Sequence, residues 1–95
     1  MDIKEKRRLE ELTGIFKALA HPARLWMVEQ LFDGEKCVCE FVEVLKLDFS
    51  TVSKHLSILK NACVVEDEKR GKNVYYSLRK KCLPHIISCL TKQDI

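Results

Sequence analysis

Two short helical segments only three residues apart, followed by a pair of β-prone runs, leave this chain very few folds. Phe41, Val42 and Leu45 keep helical spacing, with Val38 one turn earlier, so the spacing predicts a helix over roughly Val38 to Lys46. The turn Leu47-Asp48-Phe49 follows, with Asp48 placed to cap a second helix through its side-chain oxygen. That helix is expected over about 49–62. Val52, Leu56, Leu59 and Cys63 form its apolar face, and Ser50, Lys54, Ser57 and Asn61 lie opposite. Val64-Val65-Glu66-Asp67-Glu68 and Asn73-Val74-Tyr75-Tyr76-Ser77-Leu78 then read as two strands. Lys69-Arg70-Gly71-Lys72 between them is a turn with three cations, giving a β-hairpin with a basic tip. This order is that of a winged helix-turn-helix.

The flanking segments fit the same frame. Leu9, Leu12, Phe16 and Leu19 share one face of a helix over residues 4–19, which His21-Pro22 ends. Pro22 suits the first turn of the next helix. That helix is expected to reach about Phe32, with Leu25, Val28, Leu31 and Phe32 inward and Gly34 as its stop. A last helix is expected over about 83–92, with Leu83, Ile86, Ile87 and Leu90 as its stripe. The fold class is therefore mainly α with a small β-hairpin: four helices, two strands and a fifth helix. No repeat, low-complexity tract or linker divides it, so residues 1–95 are expected to be a single domain. A monomer this small buries a limited fraction of its surface, and oligomerisation is a common supplement.

Composition narrows the function. No apolar run approaches the roughly 18 residues of a membrane span. Met1-Asp2-Ile3-Lys4-Glu5-Lys6 lacks the apolar core of a secretion signal. The expected location is the cytoplasm, with no membrane partner. There the five cysteines should be mostly reduced, and an odd number argues against a disulfide framework. They are then soft-metal or redox groups, or simply small buried hydrophobes. An enzyme is not expected. The chain has no glycine-rich phosphate loop, no Ser/His/Asp set, and too little length to enclose a deep pocket.

A net charge of +3 is too mild to establish a nucleic-acid partner, so the placement of the cations decides. Ser50, Thr51, Ser53 and Lys54 stand at the start of the second helix of the pair, where base edges of the major groove are read. Ser57 continues that face. Arg70 and Lys72 at the hairpin tip would reach the DNA backbone or the minor groove. His55 lies between the two faces, able to contact a phosphate or to bond within the fold. Alone, a Ser/Thr-rich helix start is a good cap and a charged hairpin tip is a solvated turn. Their order and spacing together point to double-stranded DNA, bound with a strong salt dependence.

Four motifs in order carry a resemblance: Ala20-His21-Pro22-Ala23-Arg24-Leu25, Cys37-Val38-Cys39-Glu40, Ser50-Thr51-Val52-Ser53-Lys54-His55-Leu56, and Arg70-Gly71-Lys72-Asn73-Val74-Tyr75-Tyr76. The chain resembles the ArsR/SmtB family of winged-helix repressors that sense metals or metalloids, from about Leu12 to Leu90. The resemblance implies a homodimer packed through the first and last helices. It also implies binding to operator DNA with no cofactor, and release when an inducer binds, with As(III) or Sb(III) the expected inducer and a Cd, Pb or Zn response the alternative.

Cys37 and Cys39 form the Cys-Val-Cys that the resemblance marks as a thiolate site, and thiolates select soft or borderline ions such as As(III), Sb(III), Cd, Pb, Zn or Cu(I). In an ideal helix residues i and i+2 are about 200° apart, whereas in an extended segment they share a side. Chelation by this pair is therefore expected to unwind the first turn of the third helix, shift the recognition helix and release DNA. Arsenite-sensing members often carry a third cysteine one turn on, where this chain has Val42. The third ligand is left open: another cysteine, a small-molecule thiol, or none. The family's zinc site on the last helix is not expected, because Lys80 and Cys82 replace an Asp and a His, and Gln93-Asp94-Ile95 supplies no downstream His/Glu pair. Cys82, His85 and Cys89 fall on one side of the last helix, spaced for a second soft-metal site or for a plain dimer face. Cys63 is expected in the core. The rival to metal sensing is redox sensing. A direct Cys37–Cys39 disulfide looks strained, so oxidation is expected to join one of them to Cys82 or Cys89.

Overall fold

The architecture follows from which helical faces find a partner. In the computed structural model, which describes residues 1–92, α1 spans Ile3–Leu19 and α2 spans Pro22–Gln30. A 3-10 turn, Leu31–Asp33, closes α2 in place of the last turn expected to reach Phe32. A two-residue strand β1, Lys36–Cys37, precedes α3, Val38–Leu45. Then come α4 at Phe49–Asn61, β2 at Val65–Arg70, β3 at Asn73–Leu78 and α5 at Leu83–Thr91. The expected absence of a downstream His/Glu pair concerns residues 93–95, outside the described residues.

Three helices supply the centre of the core. Met27 and Val28 of α2, Phe41 of α3, and Val52, Leu56 and Leu59 of α4 are at most 1% exposed. Truncating a buried leucine such as Leu56 costs about 2–5 kcal/mol, so the core fixes how α4 presents its outer face. Tyr76 and Leu78 of β3 and Leu83 and Ile87 of α5 complete the cluster. Trp26 packs edge-on against Phe41, with ring centroids 6.2 Å apart. No described helix is long and apolar enough to cross a membrane.

The sheet has one strand more than the sequence pattern showed. All pairings are antiparallel and the order is β1-β3-β2. Lys36 pairs with Tyr76 and Cys37 with Tyr75, while β2 runs from Val65 opposite Leu78 to Arg70 opposite Asn73. That register leaves Gly71 and Lys72 as the two-residue tip, and Gly71 takes φ +62°, the left-handed conformation such a turn requires.

The apolar stripe of α1 does not face this core. Leu9 and Leu12 are partly exposed and Phe16 is 63% exposed, while Ala18 is the buried residue of the helix. The α5 stripe splits, with Leu83 and Ile87 inward and Ile86 and Leu90 outward. Leu12, Phe16, Leu19, Leu25, Ile86 and Leu90 thus line an apolar groove of about 400 Å³ between α1 and α5. Leu25, expected inward, is half-buried there.

Cys63 departs from the expected core position. The helix ends at Asn61, and Cys63 is exposed with φ +60°. The Val64 N–H donates to the Leu59 carbonyl at 3.0 Å and the Cys63 N–H to that of Lys60 at 2.9 Å. This is a Schellman C-cap whose left-handed position is usually glycine. The left-handed backbone costs a residue with a Cβ about 1–2 kcal/mol, partly offset by glycine's greater unfolded-state freedom. Cys63→Gly is therefore expected to stabilise the fold by about 0.5–1 kcal/mol. Urea denaturation checks this, and an unchanged or lower midpoint would contradict it.

Candidate nucleic-acid interface and thiol site

The recognition helix α4 presents the expected face outward. Ser50, Lys54 and Ser57 are exposed, and Thr51 and Ser53 are half-buried. Ser50, Thr51, Lys54 and His55 line one cleft of about 330 Å³. Asp48 occupies the N-cap, but its carboxylate makes no side-chain cap bond to the backbone. It accepts instead from the Ser50 hydroxyl at 2.5 Å and from the Thr51 hydroxyl. Those hydroxyl bonds hold the Asp48 carboxyl below its usual range. Both hydroxyls therefore spend their protons on Asp48 and turn acceptor lone pairs outward. Phe49, the first residue of α4, is 61% exposed, an outward aromatic that hydrophobic periodicity alone does not single out.

His55 lies inside a small network. Arg24 Nε donates to the Ala18 carbonyl at 2.6 Å, and Arg24 Nη1 donates to His55 Nδ1 at 3.3 Å. Because the guanidinium can only donate, Nδ1 is the unprotonated ring nitrogen and the imidazole is neutral here. The His21 ring lies 4.6 Å from that of His55, centroid to centroid, and His21 Nδ1 caps α2 by accepting from the Ala23 N–H at 3.0 Å. Arg24 thus ties the end of α1 to α4, a role that its place in the sequence motif did not reveal.

The wing differs from expectation at Arg70. Lys72 is exposed at the tip with no carboxylate partner among the described residues. Arg70 is engaged. Its Nη1 and Nη2 donate to Glu35 Oε1 and Oε2 at 2.7 and 2.5 Å, and its Nε donates to Glu68 at 2.7 Å. The guanidinium also lies over the Tyr75 ring, 4.6 Å from its centroid. The two glutamates raise the Arg70 pKa, and Arg70 lowers that of Glu35. The Glu35 partner is 35 residues away in sequence, beyond what local pattern can show.

Cys37 and Cys39 converge, and the helix does not have to unwind for them to do so. Cys37 is the N-cap of α3, with extended backbone at φ −76° and ψ 147°. Cys39 is one residue into the helix. Their Cα atoms are 5.2 Å apart, and the two sulfurs meet where β1 passes into α3. The junction of strand and helix brings the two sulfurs together by itself. Cys37 is 5% exposed and Cys39 is exposed. The Cys37 sulfur accepts from the Cys39 N–H at 3.4 Å, and the Glu40 carboxylate accepts from the Cys37 N–H at 2.6 Å. Val42 is half-buried against the core and offers no ligand atom.

Elsewhere the thiols are scattered. Cys82 stands at the N-cap position of α5 without a side-chain cap bond and lines the α1/α5 groove, and Cys89 and His85 are exposed further along α5. No three His, Cys, Asp or Glu side chains converge into a metal-holding group among the described residues.

Comparison with known proteins agrees with this geometry. Residues 21–67 match the family model described as "Bacterial regulatory protein, arsR family". The chain belongs to the ArsR family. It is similar to the HTH-type transcriptional repressor SmtB of Mycobacterium tuberculosis, with 42% identity over 83% of this chain and 58% of that protein. It is also similar to the cadmium resistance transcriptional regulatory protein CadC homolog of Staphylococcus aureus, at 36% identity over 77% of this chain and 61% of that one. The chain thus spans about three-fifths of the length of these curated relatives. Among solved structures, reduced HlyU from Vibrio cholerae superposes with a TM-score of 0.80 at 27% identity, covering 95% of this chain and 98% of that one. The ArsR family is one of regulatory proteins rather than enzymes, and the winged helix-turn-helix is its fold here.

The His55 network makes stability depend on pH. Burial, then the charges of His21 and Arg24, lower the His55 pKa from its usual 6.5. Between the folded value and 6.5 the unfolded chain binds more protons, so stability rises with pH across that window. The contribution is fully present above 6.5 and lost as pH drops through the folded value. Urea midpoints should therefore fall on acidification below about 6.5, with a shallower fall in His55→Gln. Parallel pH profiles for the two proteins would contradict this.

Proposed function

We propose that this chain is a transcriptional repressor that binds double-stranded operator DNA as a homodimer and lets go when a thiophilic ion binds Cys37 and Cys39. The observation that carries the reading is the convergence of these two sulfurs where β1 meets α3. α3 packs on the recognition helix and β1 pairs with the wing strand β3.

The DNA-contacting set is Ser50, Thr51, Ser53, Lys54 and Ser57 on α4, with Lys72 on the wing. The outward lone pairs of Ser50 and Thr51 suit amino groups of adenine or cytosine, and exposed Phe49 suits a thymine methyl. The α1/α5 groove is the dimer surface. Phe16 and Leu90 leave too much apolar area in water for a lone protomer, and a second copy of the same two helices would cover it.

The ion would be held by thiolates of Cys37 and Cys39, at the end of α3 where the helix dipole favours negative charge. Two soft ligands at the junction suit As(III), Sb(III) or a soft divalent ion such as Cd(II). The cadmium association in the name of the CadC homolog supports the last of these. Arsenite takes a third sulfur from outside the pair. A bound ion would draw on the Cys37 sulfur that caps the Cys39 N–H, which connects ligation to the seating of α3. A redox reading draws on the same proximity of the two sulfurs.

The test is fluorescence anisotropy on operator DNA with reduced protein, with and without arsenite or Cd(II). Either ion is expected to weaken the wild type by about 5–150-fold, the range of ordinary allosteric coupling, and to leave Cys37→Ser/Cys39→Ser unchanged. Equal operator affinity with and without both ions would defeat the proposal. Sedimentation tests the other half. The wild type should run as a dimer and Phe16→Glu as a folded monomer, while a monomeric wild type would remove the dimer from the account.

A further inference from the structure

Arg70 is the wing's best phosphate ligand by chemistry, yet it is fully occupied. Its fork is matched to both oxygens of Glu35, its Nε is held by Glu68, and its plane lies on Tyr75. One positive charge faces two negative charges, so the cluster as it stands repels a DNA phosphate. We propose that Glu35 is a built-in competitor of DNA: it holds Arg70 in a clasp that must open before Arg70 can grip the backbone. The inference rests on the DNA-binding reading above and adds to it a residue that sets how tightly the wing holds.

Three features argue that the clasp is a switch rather than a fixed part of the fold. First, it is solvent-exposed: the side chains of Arg70, Glu35 and Glu68 are 46%, 43% and 67% exposed. Ion pairs in such positions are weak and exchange partners readily. Second, the geometry that Glu35 satisfies, two parallel N–H···O bonds to a planar fork, is the geometry a phosphate satisfies equally well. Third, Glu35 stands two residues before Cys37, and Cys37 pairs with Tyr75, whose ring supports the guanidinium. The clasp therefore joins the thiol segment to the wing at a second point beyond the β1–β3 ladder. Whatever steadies residues 35–39 favours Glu35 as the partner of Arg70, and whatever draws Arg70 to a phosphate frees Glu35. Thiol occupancy and DNA would then oppose each other through one guanidinium, as linkage requires.

The nearby charges leave Arg70 as the residue in contest. Asp67 on the same strand is paired with Lys60 at 3.0 Å. Lys69 and Lys72 have no carboxylate partner among the described residues and are available to DNA in either state.

The experiment measures how binding to a fluorescein-labelled, mixed-sequence DNA duplex depends on salt, with the reduced full chain. Non-specific binding is dominated by phosphate contacts, and each contact adds about 0.9 to the slope of log affinity against log salt. Glu35→Gln is expected to tighten binding and steepen that slope by about 0.9. Arg70→Gln alone should shift the slope little, and Glu35→Gln/Arg70→Gln should return to the Arg70→Gln value. An unchanged slope in Glu35→Gln overturns the proposal. So does an equal gain in the Arg70→Gln background, because the effect would then be the loss of a negative charge and not the release of Arg70. Glu35→Asp, which keeps the charge but shortens the reach, should fall between wild type and Glu35→Gln, and a wild-type slope there alongside an unchanged Glu35→Gln would count against the clasp too. Failure of every variant to bind the duplex, even at low salt, would bring down the DNA-binding reading itself and the clasp with it.

Discussion

The proposed switch depends on one short piece of backbone pairing. Lys36 and Cys37 add a third strand to the edge of the wing, opposite Tyr76 and Tyr75, and the chain turns directly from that strand into α3. Cys37 belongs to both elements: it ends β1 and caps α3. Without this pairing the thiols would sit on a free loop, and events there would reach neither the wing nor the recognition helix. With it, the extended backbone at Cys37 and the first turn at Cys39 aim two sulfurs at one point.

The distribution of burial suits the proposed switch. Phe41, Val52, Leu56 and Leu59 are at most 1% exposed, and α4 packs directly on α3. The contacts that surround the thiols are of another kind: a two-residue strand, a sulfur accepting one N–H, a carboxylate accepting another, and an exposed ion pair. Each is individually weak, so a strong thiolate–ion bond can rearrange them without unfolding the core. The apolar groove of α1 and α5 lies apart from this apparatus, so in the proposed dimer that surface would set the spacing of two α4 helices while the thiol segment adjusted each one.

Much of this was legible in the residues. The periodicity of Val52, Leu56 and Leu59 marked α4, and Gly71 between two β-prone runs marked the wing. The stripe of Leu9, Leu12 and Phe16 was read correctly as one helical face, although it looks away from the monomer's core. What was missed has physical causes. Two residues are too few to show alternation, so β1 left no signal. Cys63 kept the helical spacing of an apolar face, but the chain had already turned left-handed there, a conformation that only glycine advertises. Arg70 looked free because its partner Glu35 approaches from a distant part of the sequence. His55 was ambiguous until Arg24, equally distant, supplied its hydrogen bond. The Cys37–Cys39 pair was expected to converge through unwinding of the first turn of α3, but the extended backbone at Cys37, one residue wide, already brings the sulfurs together.

The central claim is that the thiol pair and the DNA-gripping surface share one conformational equilibrium, and linkage makes that claim reciprocal. The most direct measurement is a calorimetric titration of Cd(II) into the reduced protein, alone and saturated with operator duplex. The account predicts that DNA weakens Cd(II) binding by the same factor by which Cd(II) weakens DNA binding, and that this penalty vanishes in Cys37→Ser/Cys39→Ser. An ion affinity at Cys37 and Cys39 that is the same on and off DNA would contradict it.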